Sequence, residues 1–220
     1  MTTETDPRAT RPRGLRILIA GTGGQGVVLA ARLLTAYFVR RGHRVVSGQL
    51  HGMAQRGGSV QSTVVVDGGS SPGLRRGSAD LVVGFEPVET ARAIPFMAPD
   101  AVVFMNTAPV MPYVLSQQYV HGRKDAAYPD VRGLAASIRE ATPQLCAFDA
   151  TELARKAGSA RSLNMVMLGC LIGSGCLGVG PEDFQETVLA TAPSRLAERN
   201  QRAFLAGVAV GRGERHTENR

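Results

Sequence analysis

The chain has no tryptophan, three cysteines and two lysines among its 220 residues, and each scarcity removes a class of function. Aromatic residues make up 5% of the chain, too few for the stacking platforms that hold single-stranded nucleic acid. Cys146, Cys170 and Cys176 form no CxxC pair and stand near no histidine at metal-ligand spacing. The chain therefore has no metal-ligand set and cannot hold an iron–sulfur cluster by itself. The isolation of these cysteines among apolar residues predicts buried free thiols in a reducing compartment. No apolar run is long enough to span a membrane, and the N-terminus is polar rather than signal-like, so a soluble, cytoplasmic protein is expected.

Positive charge is in excess, +7 with a pI of ≈ 10.0, but it is dispersed along the chain. Of the 25 basic residues 23 are arginine, a bias that reflects nucleotide composition more than a nucleic-acid patch, and no nucleic-acid partner is expected. Arginine also suits docking to acidic partner subunits. With 44% hydrophobic residues the chain can bury one full core. Residues 1–14 are polar and residues 212–220 carry alternating charges with no apolar face, so both read as disordered tails around one domain at 15–211.

Within that domain the pattern alternates. Leu15 to Ala20 reads as a buried strand that enters a glycine turn, Val27 to about Arg41 as a helix stopped by Gly42, and Arg44 to Ser47 as the next strand. This is a Rossmann-like first βαβ unit, expected to close as a parallel pair with a right-handed crossover. A β-rich run follows at Val60 to Val66, with further strands at Ala79 to Phe85, Ala101 to Met105 and Gln144 to Phe148. Short helices are expected at Pro87 to Ile94, Val131 to Ala141 and Thr151 to Ala157. From Ser162 the composition turns helical: Asn164 to Gly175 is apolar nearly all round, and Pro181 and Pro193 each open a helix, the last reaching about Val210. The fold class is α/β, with a mixed, mostly parallel sheet and a helical C-terminal layer.

Two stretches carry chemistry. The turn Gly21-Thr22-Gly23-Gly24-Gln25-Gly26 lies between strand and helix, where free N–H groups and the helix dipole favour an anion such as a phosphate. Its glycines have dinucleotide-fingerprint spacing, yet Ser47, Gly48 and Gln49 stand where a ribose-binding acid would, which disfavours NAD. The plain alternative is that the glycines only allow close helix–strand packing. Gln25 brings a carboxamide that either meets a ligand or ties down a neighbouring loop. The second stretch runs from His51 to Val60, HGMAQRGGSV. Its flanking glycines let backbone approach a partner or substrate while His51, Gln55, Arg56 and Ser59 present polar groups beside Gly57. His51 reads as a loop-stabilising residue rather than a catalytic base, since no paired acid or nucleophile accompanies it, and no catalytic residue is assigned. Arg56 is the candidate for an anion or carboxylate contact, and Asn106, at a strand end, a candidate site contact. Glu86 and Asn164 read as helix caps, Met165 and Met167 as core.

Together the two motifs resemble the gamma domain of pyruvate and other 2-oxoacid:ferredoxin oxidoreductases, and the wording HGMAQRGGSV is most similar to beta subunits of the indolepyruvate type. Asp80 to Pro87, Asn106-Thr107, Asn164 to Gly169 and Asn200 to Gly207 extend the resemblance from Leu15 to about Gly211. It implies a subunit that is inactive alone and binds no cofactor alone, joined to a larger subunit carrying thiamine diphosphate, Mg and iron–sulfur clusters, with coenzyme A a candidate at the interface and ferredoxin as electron acceptor. No thiamine motif, a GDG followed by an Asn-rich metal loop, occurs in these residues. The implied reaction is oxidative decarboxylation of a 2-oxoacid, an aryl pyruvate on the strength of the resemblance, to acyl-CoA. The competing reading is a stand-alone nucleotide or coenzyme A binding module.

Overall fold

The computed structural model describes residues 14–52, 57–111, 128–191 and 194–217. Six strands form one sheet: β1 (Leu15–Thr22), β2 (Val45–His51), β3 (Ser59–Val66), β4 (Ala79–Gly84), β5 (Met97–Asn106) and β6 (Leu145–Phe148). The helices are α1 (Val27–Arg40), α2 (Pro87–Arg92), α3 (Val131–Ala141), α4 (Ala150–Lys156), α5 (Leu163–Gly173), α6 (Pro181–Thr191) and α7 (Ser194–Thr217), with 3-10 turns at Ile94–Phe96 and Ala160–Ser162.

The strand order is β2-β3-β1-β4-β5-β6. β1, β4, β5 and β6 pair in parallel, whereas β3 is antiparallel to both β1 and β2. The expected direct β1–β2 pair is therefore not made: β3 stands between them, and β1 and β2 are parallel at one remove. The side chains show why. β3 buries Val60, Ser62, Val64, Val65 and Val66, whereas β2 leaves Ser47, Gln49, Leu50 and His51 exposed. The valine-rich strand suits the interior and the polar one the edge. A strand joined to its predecessor by a short link also pairs most directly as an antiparallel neighbour.

α1 begins at Gly26 and ends where sequence chemistry expects. Gly42 adopts a left-handed conformation (φ +79°), Gly42 N–H donates to the Val39 carbonyl (3.0 Å) and His43 N–H to the Phe38 carbonyl (3.0 Å), a Schellman closure. Its inward stripe of Val27, Ala30, Ala31, Leu33, Leu34, Tyr37 and Phe38 meets Ile17, Ile19, Val64, Val66, Leu81 and Val83 on one sheet face, in the same core as residues of α4 to α7. The opposite face, with Leu18, Val82, Val103 and Met105, is covered by Ala93, Ala135 and Ile138. Each large side chain so buried contributes roughly 1.5–3 kcal/mol.

α5 is buried on every side, Met165 and Met167 included, because α7 lies directly on it. Gly169 and Gly173 of α5 and Gly207 and Gly211 of α7 face each other's backbones so closely that a Cβ on residue 207 would meet the Val166 carbonyl, and one on residue 169 the Phe204 carbonyl. The packing of Gly211 on Cys170 and Ser174 carries α7 through residues expected to be a tail: Arg212 to Thr217 are helical, since propagation adds a hydrogen bond for each residue fixed. Cys146 and Cys170 are buried, as expected, with sulfurs 3.8 Å apart; Cys176 is exposed, because it follows the end of α5 rather than lying within it.

Candidate functional site

The carboxyl ends of β1, β4 and β5 and the start of antiparallel β3 share one edge of the sheet, and both sequence motifs converge there. Gly23 N–H donates to the Gly58 carbonyl (2.9 Å), Thr22 pairs with Ser59, and His51 pairs with Val60. His51 is thus the last residue of β2, not a loop residue, held in register by the hairpin. Gln55 and Arg56 lie outside the described residues.

The glycines of the turn have different physical reasons. A side chain at Gly21 would stand 2.8 Å from Phe85 Cβ and 2.9 Å from both Gln25 Oε1 and Val27 Cγ2, so this position is required for packing. Gly24 and Gly26 hold φ values of +97° and +85°, which side-chain-bearing residues adopt at a cost. Gln25 ties down the neighbouring loop, the second of the two roles open to it. Its Oε1 accepts from Thr22 N–H (2.8 Å) and Thr22 Oγ1 (3.0 Å), and its Nε2 donates to the Phe85 carbonyl (2.9 Å).

That arrangement leaves the mouth of α1 open. Gly26 provides no side-chain cap, and the N–H groups of Gly24, Gly26, Val27, Val28 and Leu29 find no acceptor among the described residues. They border a cleft of ≈ 440 Å³ whose walls include Thr22, Gly23, Arg32, His51 and Val60. Free N–H groups at a helix N-terminus, with a guanidinium and an imidazole at the same cleft, suit an anion. Arg32 was not among the residues singled out from the sequence; the signal available was its position on the outward face of α1, one turn beyond exposed Leu29. A largely apolar hollow of ≈ 300 Å³ between Leu18, Leu50, Pro72, Leu74 and Phe96 has no titratable group in its lining.

Other candidates serve the architecture of this edge. Ser59 Oγ donates to Glu89 (2.6 Å), which also accepts from Arg92 (2.8 Å). Asn106 is fully buried; its Nδ2 donates to the Phe85 carbonyl (2.9 Å) and Thr151 Oγ1 (3.0 Å), and its Oδ1 accepts from Ala150 N–H (3.0 Å). It fastens β5 to the start of α4. Glu86 caps α2 as expected, accepting from Glu89 N–H (2.9 Å), and its other oxygen accepts from Tyr128 Oη and from Val110 N–H (3.4 Å). Burial, then the Glu86 hydrogen bond and charge, push the Tyr128 phenol far above its ordinary range. Asn164 does not cap α5: Ser162 holds that position, and Asn164 Oδ1 accepts from Met165 N–H (3.1 Å).

An iron–sulfur cluster needs several thiolates converging on one point, and the chain's three cysteines, two buried together and one exposed elsewhere, do not fit one. Among the described residues no three His, Cys, Asp or Glu side chains converge as a metal site would require, and no helix is long and apolar enough to cross a membrane. The free N–H groups of the α1 cleft do fit a phosphate-bearing coenzyme.

The family of pyruvate ferredoxin/flavodoxin oxidoreductases matches residues 16–210. The chain is 32% identical over 193 residues to the indolepyruvate oxidoreductase subunit IorB of Archaeoglobus fulgidus, covering 88% of this chain and 93% of that one. Among solved structures, the gamma subunit of a keto/oxoacid ferredoxin oxidoreductase from Geobacter sulfurreducens superposes with a TM-score of 0.65 at 20% identity, covering 90% of this chain and 99% of that one. The 2-oxoglutarate:ferredoxin oxidoreductase of Magnetococcus marinus, solved with 2-oxoglutarate, coenzyme A and succinyl-CoA, gives 0.67 at 19% identity over 91% of this chain and 31% of the longer one. Fold, motifs and relatives agree: the chain belongs to the pyruvate ferredoxin/flavodoxin oxidoreductase family.

Proposed function

We propose that this chain is the small subunit of an aryl-2-oxoacid:ferredoxin oxidoreductase, inactive alone, that joins a larger subunit bearing thiamine diphosphate and iron–sulfur clusters. The observation that carries this reading is the similarity to IorB along nearly the whole of both chains, together with the cleft at the start of α1 that the glycine turn lines. In the overall reaction a 2-oxoacid loses carbon dioxide, its acyl carbon passes to the thiol of coenzyme A, and two ferredoxins each accept one electron. The hard chemistry belongs to the cofactors.

This chain's residues shape the approach to that chemistry. Gln25 and Asn106 both bind the Phe85 carbonyl and so fix the ends of β1, β4 and β5 relative to one another. The α1 cleft, with Gly23, Gly24, Gly26, Arg32 and His51, receives a phosphate of coenzyme A or an acidic loop of the larger subunit. Coenzyme A, when bound, supplies the thiol that takes the acyl group.

The test is co-expression of the tagged chain with the larger subunit, followed by assay of indolepyruvate, phenylpyruvate, pyruvate and 2-oxoglutarate with coenzyme A and ferredoxin. The expected result is co-purification and aryl-selective ferredoxin reduction that requires both chains. Tight binding of coenzyme A by a chain that captures no larger subunit would establish a stand-alone module instead.

A further inference from the structure

The two edges of the sheet are built differently. β6 is four residues long and closely follows Pro143, and so short a strand beside a proline offers little for another strand to pair with. β2 has seven residues, VVSGQLH, with no proline and no Asp, Glu, Lys or Arg. The bonds from Asp67 N–H to the Arg44 carbonyl (2.8 Å) and from Gly52 N–H to the Ser59 carbonyl (2.7 Å) fix the phase of its ladder with β3. Bonded and non-bonded residues alternate in an antiparallel pair, so the N–H and C=O groups of Val45, Ser47, Gln49 and His51 point outward. Among the described residues no strand pairs with them. The sheet face opposite α1 is also open beside this edge. Leu18, Thr63 and Gly48 stand in one row by register, with Gln61 and Leu50 two residues along on the same face. Their cover is the segment before β4: the Pro72 carbonyl accepts from Thr63 Oγ1 (2.8 Å), and Pro72 Cβ stands 2.7 Å from where a side chain on Gly48 would begin. Between that segment and the sheet lies the hollow of ≈ 300 Å³. Leu50 on its wall is 70% exposed, more than any other large apolar side chain among the described residues.

We propose that the outer edge of β2 and this hollow receive an extended segment of the larger subunit, which lengthens the sheet by one strand and seats an apolar side chain beside Leu50. Strand addition of this kind takes its affinity from main-chain bonds and its specificity from a pocket for a side chain. Charge sets the rest of the segment's chemistry. Arg44 before β2 and Arg75 and Arg76 in the covering segment are exposed, whereas the carboxylate of Asp67 is engaged by His43 Nδ1 (2.8 Å) and Arg44 N–H (2.9 Å). The segment is therefore acidic around its apolar anchor. A second copy of this chain is the wrong occupant: a two-fold contact sets a surface against itself, and would bring these arginines together on two chains of charge +7 each. The proposal rests on the subunit assignment and gives it a docking surface on the sheet face opposite α1.

The test is hydrogen exchange, read by mass spectrometry on peptides spanning residues 44–52, in the full chain alone and in its co-expressed complex with the larger subunit. The outward amides of Val45, Ser47, Gln49 and His51 should exchange freely in the chain alone and become protected in the complex. Two variants probe the same contact. Ser47→Pro removes an outward N–H that β3 does not use, and Leu50→Asp sets an acid beside the hollow against an acidic segment. Each should weaken retention of the larger subunit by about tenfold or more, with the circular dichroism spectrum unchanged. Arg75→Glu combined with Arg76→Glu should weaken it as well, and unchanged retention there overturns the acidic character of the segment. A complex that forms with the β2 amides unprotected, or that retains Ser47→Pro and Leu50→Asp as tightly as the parent, overturns the proposal and leaves the subunit assignment standing. Protection already present in a dimer of the chain alone makes a second copy the occupant and overturns it too. Failure of the parent chain to capture the larger subunit overturns both. If a variant does not fold, exchange in the parent complex decides alone.

Discussion

Gln25 holds the glycine turn through three hydrogen bonds that no glycine can make, and its loss leaves Thr22 N–H without its acceptor and the Phe85 carbonyl with Asn106 Nδ2 as its side-chain donor. Gln25→Ala should lower unfolding stability by about 1–3 kcal/mol, read as a reduced urea midpoint with an unchanged slope. Gln25→Glu keeps the acceptor but loses the donor to Phe85, and should fall between the two. A second residue-scale expectation concerns pH. Tyr128 is pushed upward by burial and then by Glu86, and Tyr37 is pushed upward by burial with Arg41 pulling the other way. A group whose pKa is higher folded than unfolded contributes stability below its unfolded value, about 10 for a phenol, and loses it as pH rises toward the folded value. The melting temperature should therefore decline above about pH 10, and Tyr128→Phe should flatten that decline without abolishing it, because Tyr37 remains. Some of this was legible in the sequence: Glu86 before Pro87 announces a cap. The Tyr128 contact was not, since it joins positions 42 residues apart, and Asn106 read as a site contact because its partners lie 21, 44 and 45 residues away.

At the scale of elements, the contact between α5 and α7 depends on absent side chains. The two glycine pairs have equal spacing, and each places a backbone against a backbone. Gly207→Ala must push the helices apart or bend one of them, at a cost of about 1–3 kcal/mol, which for a chain of this size is roughly 2–12 °C in melting temperature. Gly213→Ala is the control: nothing lies within 4 Å of a Cβ there, and replacing glycine in a helix should be neutral or stabilising by up to about 1 kcal/mol. Equal effects of the two substitutions would show that helix propensity, not close approach, governs the pair. The all-round apolar character of α5 announced its burial from sequence, but the stripe exists only when two helices far apart in the chain are laid together. The insertion of β3 between β1 and β2 was illegible for a similar reason. Local pattern marks each strand, whereas pairing order follows from which strand has polar residues to show the solvent, and the exposed half of β2, from Ser47 to His51, was read partly as loop.

At the scale of the molecule, the +7 charge is a property of the surface rather than of any one site. Arg32 and Arg40 are exposed on α1, Arg44 just before β2, and Arg75 and Arg76 in the loop before β4, and the ion pairs of Arg155 with Glu152 and Arg202 with Glu198 are exposed pairs of the kind that adds little to stability. A surface charge of this sign acts instead on encounter, drawing in an acidic partner over about 10 Å at 0.1 M salt and less as salt rises. If the larger subunit presents an acidic face, the association rate measured by stopped-flow fluorescence should fall steeply between low and physiological ionic strength, while the dissociation rate changes little. A single Arg32→Glu substitution should lower the association rate further than its share of the net charge, because Arg32 sits at the α1 cleft where the two motifs meet. An association rate indifferent to salt would mean that the arginine bias records nucleotide composition alone, and that recognition of the larger subunit lies in shape complementarity.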